Sequence, residues 1–178
     1  DLIASENYWW IDLLPPRWVE RLLAPPSPSD LTKDRLGEEI LYGRDLIVNT
    51  SQLLGPNGTV GKYLGNSMSC QNCHLNAGTK MFGGSFVTVH TRYPQFRDRN
   101  DNVITLADRI NQCIERPHNG KALPHGSREM KAMLAYMKWL SKRQTVGERV
   151  FGDQLRELPL IERMADSKRG EQIYENRC

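Results

Sequence analysis

Two thiols and an imidazole crowd one short stretch of this chain. Cys70-Gln71-Asn72-Cys73-His74 reads C-x-x-C-H, the spacing at which a c-type haem is attached. Two thiols add across the two vinyl groups of the porphyrin, and a gap of two residues lets one helical turn present both sulfurs to one edge of the ring. The next imidazole then points at the iron, so Cys70 and Cys73 are cofactor-binding candidates and His74 a metal ligand. A zinc site would want a second C-x-x-C or an H-x₃₋₅-H pair, and His90, His118 and His125 offer no such spacing. A redox dithiol would want a βαβ setting, which the sequence does not show. Haem c is the expected cofactor, one in these 178 residues.

Cys113 and Cys178 are left over. Arg109 stands four positions before Cys113 and Arg116 three after it, spacings that share a helical face. Cations beside a thiol stabilise negative charge on sulfur, which then serves as nucleophile and as soft iron ligand. The residues alone leave other readings open: a buried inert Cys113, a Cys113–Cys178 disulfide, or an ordinary cytochrome in which Met130 or Met133 closes the iron.

The elements that must position these groups are mostly helical. Residues 1–35 read as an extension, because Pro15, Pro16, Pro25, Pro26 and Pro28 forbid a long helix; Trp9, Trp10 and Trp18 would anchor it to a domain. A first helix is expected from Leu31 to about Asn49, capped by Ser29 or Asp30, with Leu36, Ile40, Leu41, Leu46 and Ile47 at helical spacing. Gly55-Pro56-Asn57-Gly58 is a turn. Leu75 to Tyr93 reads as loop, with a short strand at Phe86 to His90. Helical periodicity returns from Ile104 to Glu115, with Thr105 and Asp108 as capping partners. It is strongest from Ser127 to Ser141, where Ser127 caps and Met130, Met133, Leu134, Met137 and Leu140 form one face.

The spacing therefore predicts an all-α, cytochrome c-like domain over 36–143, a linker over 144–164, and a new helix over 165–178. In that helix Arg169-Gly170-Glu171, Tyr174 and Cys178 run as the first helix of many c-type cytochrome domains runs into its haem cysteine. Gly170 would serve close packing and Tyr174 the core. On this reading 165–178 begins a second cytochrome domain, and two haems are expected in the intact protein.

Composition narrows the partners. Lys+Arg 24 against Asp+Glu 21 gives a formal charge of +3, spread along the chain, which argues against nucleic acid. No run approaches the ~18 apolar residues of a membrane span. The sequence begins at Asp1 without an initiator Met and shows no basic-then-apolar leader, so any export signal is expected to have been cleaved or to lie outside these residues, with the periplasm as compartment.

Several separated blocks resemble, in order, the catalytic haem domain of the dihaem thiosulfate dehydrogenases. They are Gly65-Asn66-Ser67-Met68-Ser69-Cys70 through Gly78, Tyr93-Pro94-x-Phe96-Arg97-x-Arg99, Leu106-x-Asp108-Arg109-Ile110-Asn111-x-Cys113, Glu115-Arg116, Asn119-Gly120-Lys121 and Glu129-Met130-x-Ala132-Met133. The resemblance spans roughly residues 36 to 142. It implies His74 and Cys113 as axial iron ligands, a second cytochrome domain, and a small electron-accepting cytochrome or similar redox protein as partner. One departure is visible: similar members often carry Ser after the Glu-Arg pair, where this chain has Pro117 and then His118. That removes a hydroxyl donor near the expected substrate site.

The activity so implied joins two thiosulfate dianions into tetrathionate, possible in either direction, and their repulsion has to be offset by cations. Cys113, Arg99 and Arg109 are the catalytic candidates, and Arg97, Arg116 and Lys121 the substrate-binding ones, since planar forks and point charges suit sulfonate oxygens. Each cation could equally be a solvated charge or a partner of the haem carboxylates. A sulfur ligand able to leave iron would let the first thiosulfate attach covalently to Cys113. Two other roles stay open: an electron-transfer cytochrome without catalysis, and a haem-bearing sulfur-transfer subunit of a sulfur-oxidising complex.

Overall fold

The computed structural model describes residues 25–147, 150–155 and 164–177; the tryptophans of the N-terminal extension and Cys178 lie outside the described residues. Among those described, the fold is helical apart from one hairpin. The order is α1 (Arg35–Val48), α2 (Thr50–Leu54), α3 (Leu75–Gly78), β1 (Gln95–Arg97), β2 (Asn102–Ile104), α4 (Leu106–Glu115), α5 (Arg128–Leu140) and α6 (Ser167–Arg177).

Helix α1 starts later than its periodicity suggested. Pro28 opens a 3₁₀ turn (Pro28–Asp30) capped by Ser27, and Asp34, not Ser29 or Asp30, caps α1, its carboxylate accepting from Gly37 N–H at 2.8 Å. The starts of α4 and α5 follow the capping residues read from the sequence. Ser127 Oγ accepts from Met130 N–H at 3.2 Å to start α5. At α4, Thr105 and Asp108 form a reciprocal capping box, the Thr105 N–H donating to Asp108 Oδ2 at 2.8 Å.

The core lies where α1 crosses α5. Leu46, Leu54, Met130, Met133 and Leu140 have no exposed surface, and Leu123 and Ile114 almost none. Gly43 makes the crossing possible: a Cβ there would overlap the Ala132 backbone carbonyl. Tyr136, buried in the same face, donates its hydroxyl to the Ala77 carbonyl at 2.9 Å and so ties α5 to the turn after His74. In that turn, α3, Asn76 and Ala77 take left-handed dihedrals (φ 53° and 55°), unusual for side-chain-bearing residues.

The strand expected at Phe86 to His90 is not formed. Phe86, Val87 and Thr88 are buried without a pairing edge, and Val89–Arg92 closes into a 3₁₀ turn. Pairing occurs further on, where β1 meets β2 antiparallel with Phe96 opposite Val103. The expected linker is also part of the domain over 150–155. Phe82 N–H donates to the Gly152 carbonyl at 2.6 Å, and the Phe82 and Phe151 rings meet edge to face at 5.2 Å. Helix α6 forms, but Tyr174 is 70% exposed and Gly170 faces open space, so neither finds a packing role among the described residues. No described helix is long and apolar enough to cross a membrane.

Candidate functional site

Cys70 and Cys73 lie on one tight turn. Cys70–Asn72 is 3₁₀, with Asn72 Oδ1 accepting from Ser69 N–H at 2.7 Å, and His74 N–H reaches back to the Cys70 carbonyl at 3.0 Å. Thr50 pins this turn to α1: its hydroxyl donates to the Leu46 carbonyl at 2.7 Å and accepts from Cys70 N–H at 2.9 Å. Burial pushes the Cys70 thiol up to about 11, so it stays protonated until it reacts.

His74 is oriented by the backbone. Its Nδ1–H donates to the Gly84 carbonyl at 2.6 Å, which fixes the tautomer and leaves the Nε2 lone pair for a metal. Burial, reinforced by the Arg109 charge, holds the imidazole below its ordinary range despite that bond, so it is neutral near pH 7. Phe86 packs on the ring at 4.2 Å between centroids. The close approach requires glycine at 84: φ is +68°, and a Cβ would stand 2.8 Å from the Cys73 carbonyl and 3.1 Å from His74 Nδ1.

These groups border a cavity of about 400 Å³, with Ile47, Phe86, Val89, Leu106 and Ile110 as apolar wall. Cys113 borders it too, carrying a free thiol. On α4 the i, i+4 spacing puts Arg109 beside it, and Arg109 Nη1 donates to Cys113 Sγ at 3.2 Å. Two attachment thiols, an imidazole of the right tautomer, a glycine cradle and a third cysteine sulfur on one apolar cavity make a donor set that fits haem c. Cys70 and Cys73 would hold the porphyrin, and His74 and Cys113 the iron.

The other sequence candidates divide. Arg97 borders the cavity with Arg109, whereas Arg99, Arg116 and Lys121 are exposed and outside its lining. Arg116 does not extend the thiol's helical face: α4 ends at Glu115 and Arg116 caps it, with ψ at −79°. Met130 and Met133, considered above as iron ligands, belong to the α1–α5 core and have no exposed surface. The methionines at the cavity are Met68 and Met137.

Sequence reasoning missed Arg92, Tyr93, His118 and Asp153, all of which border the cavity. His118 is 5% exposed with Nδ1 unpartnered, and burial holds it below the ordinary imidazole range. Its neighbour Pro117 is held by Asn66 Nδ2, which donates to the Pro117 carbonyl at 2.8 Å. For Asp153 no local signal existed, since its hydrogen-bond partner Thr88 lies 65 residues earlier in the chain.

Residues 62–146 match the family model of the SoxA/TsdA cytochrome c domain. Over 160 residues the chain is 38% identical to a thiosulfate dehydrogenase of Allochromatium vinosum, covering 88% of this chain and 57% of that protein. It is 34% identical over 154 residues to one of Thiomonas intermedia (86% and 47%) and 31% over 159 residues to one of Stutzerimonas stutzeri (89% and 50%). The chain thus spans about half the length of these curated relatives. A solved structure, the thiosulfate dehydrogenase TsdBA of Marichromatium purpuratum, superposes with a TM-score of 0.75 at 25% identity, covering 87% of this chain and 34% of that one.

Proposed function

We propose, on the premise of the match of residues 62–146 to the SoxA/TsdA cytochrome c domain, that this chain is a thiosulfate-oxidising haem domain that makes tetrathionate at Cys113. The observation that carries the reading is the 3.2 Å contact from Arg109 to Cys113 Sγ on the cavity that also holds Cys70, Cys73 and His74.

The Arg109 guanidinium, bonded to Cys113 Sγ, is placed to offset negative charge on that sulfur when it is the leaving group. Arg109 and Arg97 at the cavity, and the exposed Arg99, Arg116 and Lys121 around it, supply the positive potential that brings dianions together. In the first step Cys113 Sγ and the outer sulfur of one thiosulfate form an S–S bond, and two electrons are given up. In the second, the outer sulfur of another thiosulfate attacks that same sulfur, the Cys113–S bond breaks, and Cys113 leaves as thiolate with its electron pair. The product is tetrathionate, and the sequence run backwards is its reduction. When bound, haem c supplies the acceptor for the electrons, which leave singly. A second haem and a small redox protein as final acceptor, both in the periplasm, complete the proposal.

Cys113→Met tests this in protein matured in a haem-attaching host. It keeps a sulfur ligand but removes the nucleophile, so thiosulfate oxidation is expected to fall about a thousandfold or more with haem retained. Undiminished turnover would overturn the covalent step.

A further inference from the structure

Thr88, Arg92 and Asp153 form a cluster at the cavity wall that the sulfur chemistry does not use. Asp153 arrives on 150–155, the segment that follows α5, and its side chain is 0% exposed. Thr88 Oγ1 donates to Asp153 Oδ2 at 2.5 Å, and Arg92 Nη1 stands 3.7 Å from the same oxygen. Two polar atoms are left over, Asp153 Oδ1 and Arg92 Nε, both buried and without a partner.

As a purely structural ion pair this arrangement is poor. Asp153 is fully buried while the Arg92 side chain is 31% exposed, and burying a carboxylate is costly unless its acceptors are filled. A separation of 3.7 Å is also long beside the roughly 2.7–2.9 Å of a close charged hydrogen bond, so Arg92 has donors to spare. Both residues border the cavity whose donor set fits haem c. The porphyrin brings two carboxylate arms into that cavity, and its lining holds three arginines, Arg92, Arg97 and Arg109, of which Arg109 is already bonded to Cys113.

We propose that Arg92 is the counter-cation of a porphyrin carboxylate, and that Asp153 is a positioning residue that holds Arg92 on the wall while its own buried charge favours the oxidised, more positive iron. The connector that follows α5 thereby takes part in setting the reduction potential. The proposal rests on haem attachment at Cys70 and Cys73 but not on thiosulfate as substrate.

Spectroelectrochemistry on holoprotein tests it, after a pyridine haemochrome assay has confirmed attached haem; missing haem in the unaltered protein would fault the cofactor assignment instead. Asp153→Asn is expected to raise the potential, because it removes a negative charge near the iron, and Arg92→Gln is expected to lower it, because it removes a positive one and leaves the porphyrin carboxylate unneutralised. The double variant should depart from the sum of the two, because Asp153 acts partly through Arg92. Shifts of the same sign, no shift in Arg92→Gln, or strict additivity would overturn the proposal. Should Asp153→Asn fail to mature, Arg92→Lys decides: retained charge is expected to keep the potential near the original while Arg92→Gln lowers it, and equal shifts in the two variants would refute it.

Discussion

The His74 side of the cavity and the Cys113 side are built by different means. On the His74 side nearly every fixing contact involves backbone: the Gly84 carbonyl holds the imidazole, and Cys70 N–H, at one end of the turn, is anchored by Thr50. Across the cavity, Cys113 and Arg109 meet as two side chains one turn apart on α4, and the next cations sit on an exposed hairpin and a helix cap. A wall set by backbone geometry tolerates little change, which suits permanent attachment. A wall made of side chains on a capped helix can be retuned residue by residue, which suits chemistry that must bind, react and release.

Gly84→Val tests the rigid side and carries the largest expected effect. A β-branched residue at φ +68° costs about 1–3 kcal/mol in backbone strain alone, and its Cβ would press on the Cys73 carbonyl and on His74 Nδ1. The imidazole should lose its carbonyl partner, seen as a ferric spectrum moving from low to high spin and a lower yield of haem-loaded protein. A variant with the original spectrum would show that the backbone does not hold this ligand.

Arg109→Gln addresses the adjustable side. Removing a charged hydrogen bond to sulfur is worth about 1.5–3 kcal/mol, so kcat/KM for thiosulfate should fall about 10- to 100-fold while haem content stays unchanged. Arg109→Lys, with a charge but no fork, is expected to fall between. Loss of haem in Arg109→Gln would erase the contrast between the two walls.

The smallest effect concerns the start of α4, which sets where Cys113 points. Hydrogen bonds from Thr105, side chain first, lower the Asp108 carboxyl below its usual range. A folded value below the unfolded one means that the carboxylate stabilises the fold above the unfolded pKa of about 3.9, and that this contribution is lost as pH falls through the folded value. Asp108→Asn should therefore be less stable than the original in urea at pH 7, with the gap narrowing below about pH 4. Thr105→Ala should cost about 1 kcal/mol at neutral pH, as other cap losses do. A gap that stayed constant with pH would remove the carboxylate from the cap.

Local chemistry was legible wherever cause and effect lie within one turn. C-x-x-C-H needs only two residues between thiols, Arg109 and Cys113 need only the helical pitch, and Thr105–Asp108 and Ser127 mark helix starts by their own side chains. Local signals failed where burial outvoted pattern. Phe86, Val87 and Thr88 look like a strand, yet they line the interior beside His74 and leave no edge to pair.

Distance along the chain explains what remained. The haem-attachment motif, the helical class and the Arg109–Cys113 pairing follow from residue types at fixed short spacings, because attachment chemistry and helix geometry impose those spacings on any sequence. Only the folded molecule brought Gly84 under His74, Tyr136 onto Ala77, and Asp153 across to Thr88 and Arg92, contacts spanning 10, 59 and 65 residues from His74, Ala77 and Thr88 respectively. Such pairs carry no periodic signature, since they form when hydrophobic burial closes α1 on α5 and folds the intervening loops around the cavity. Tertiary packing also assigned the methionines, sending Met130 and Met133 into the core and Met68 and Met137 to the cavity. One apolar helix face looks uniform in sequence, and the direction of its neighbours decides which of its side chains meets solvent, core or cofactor.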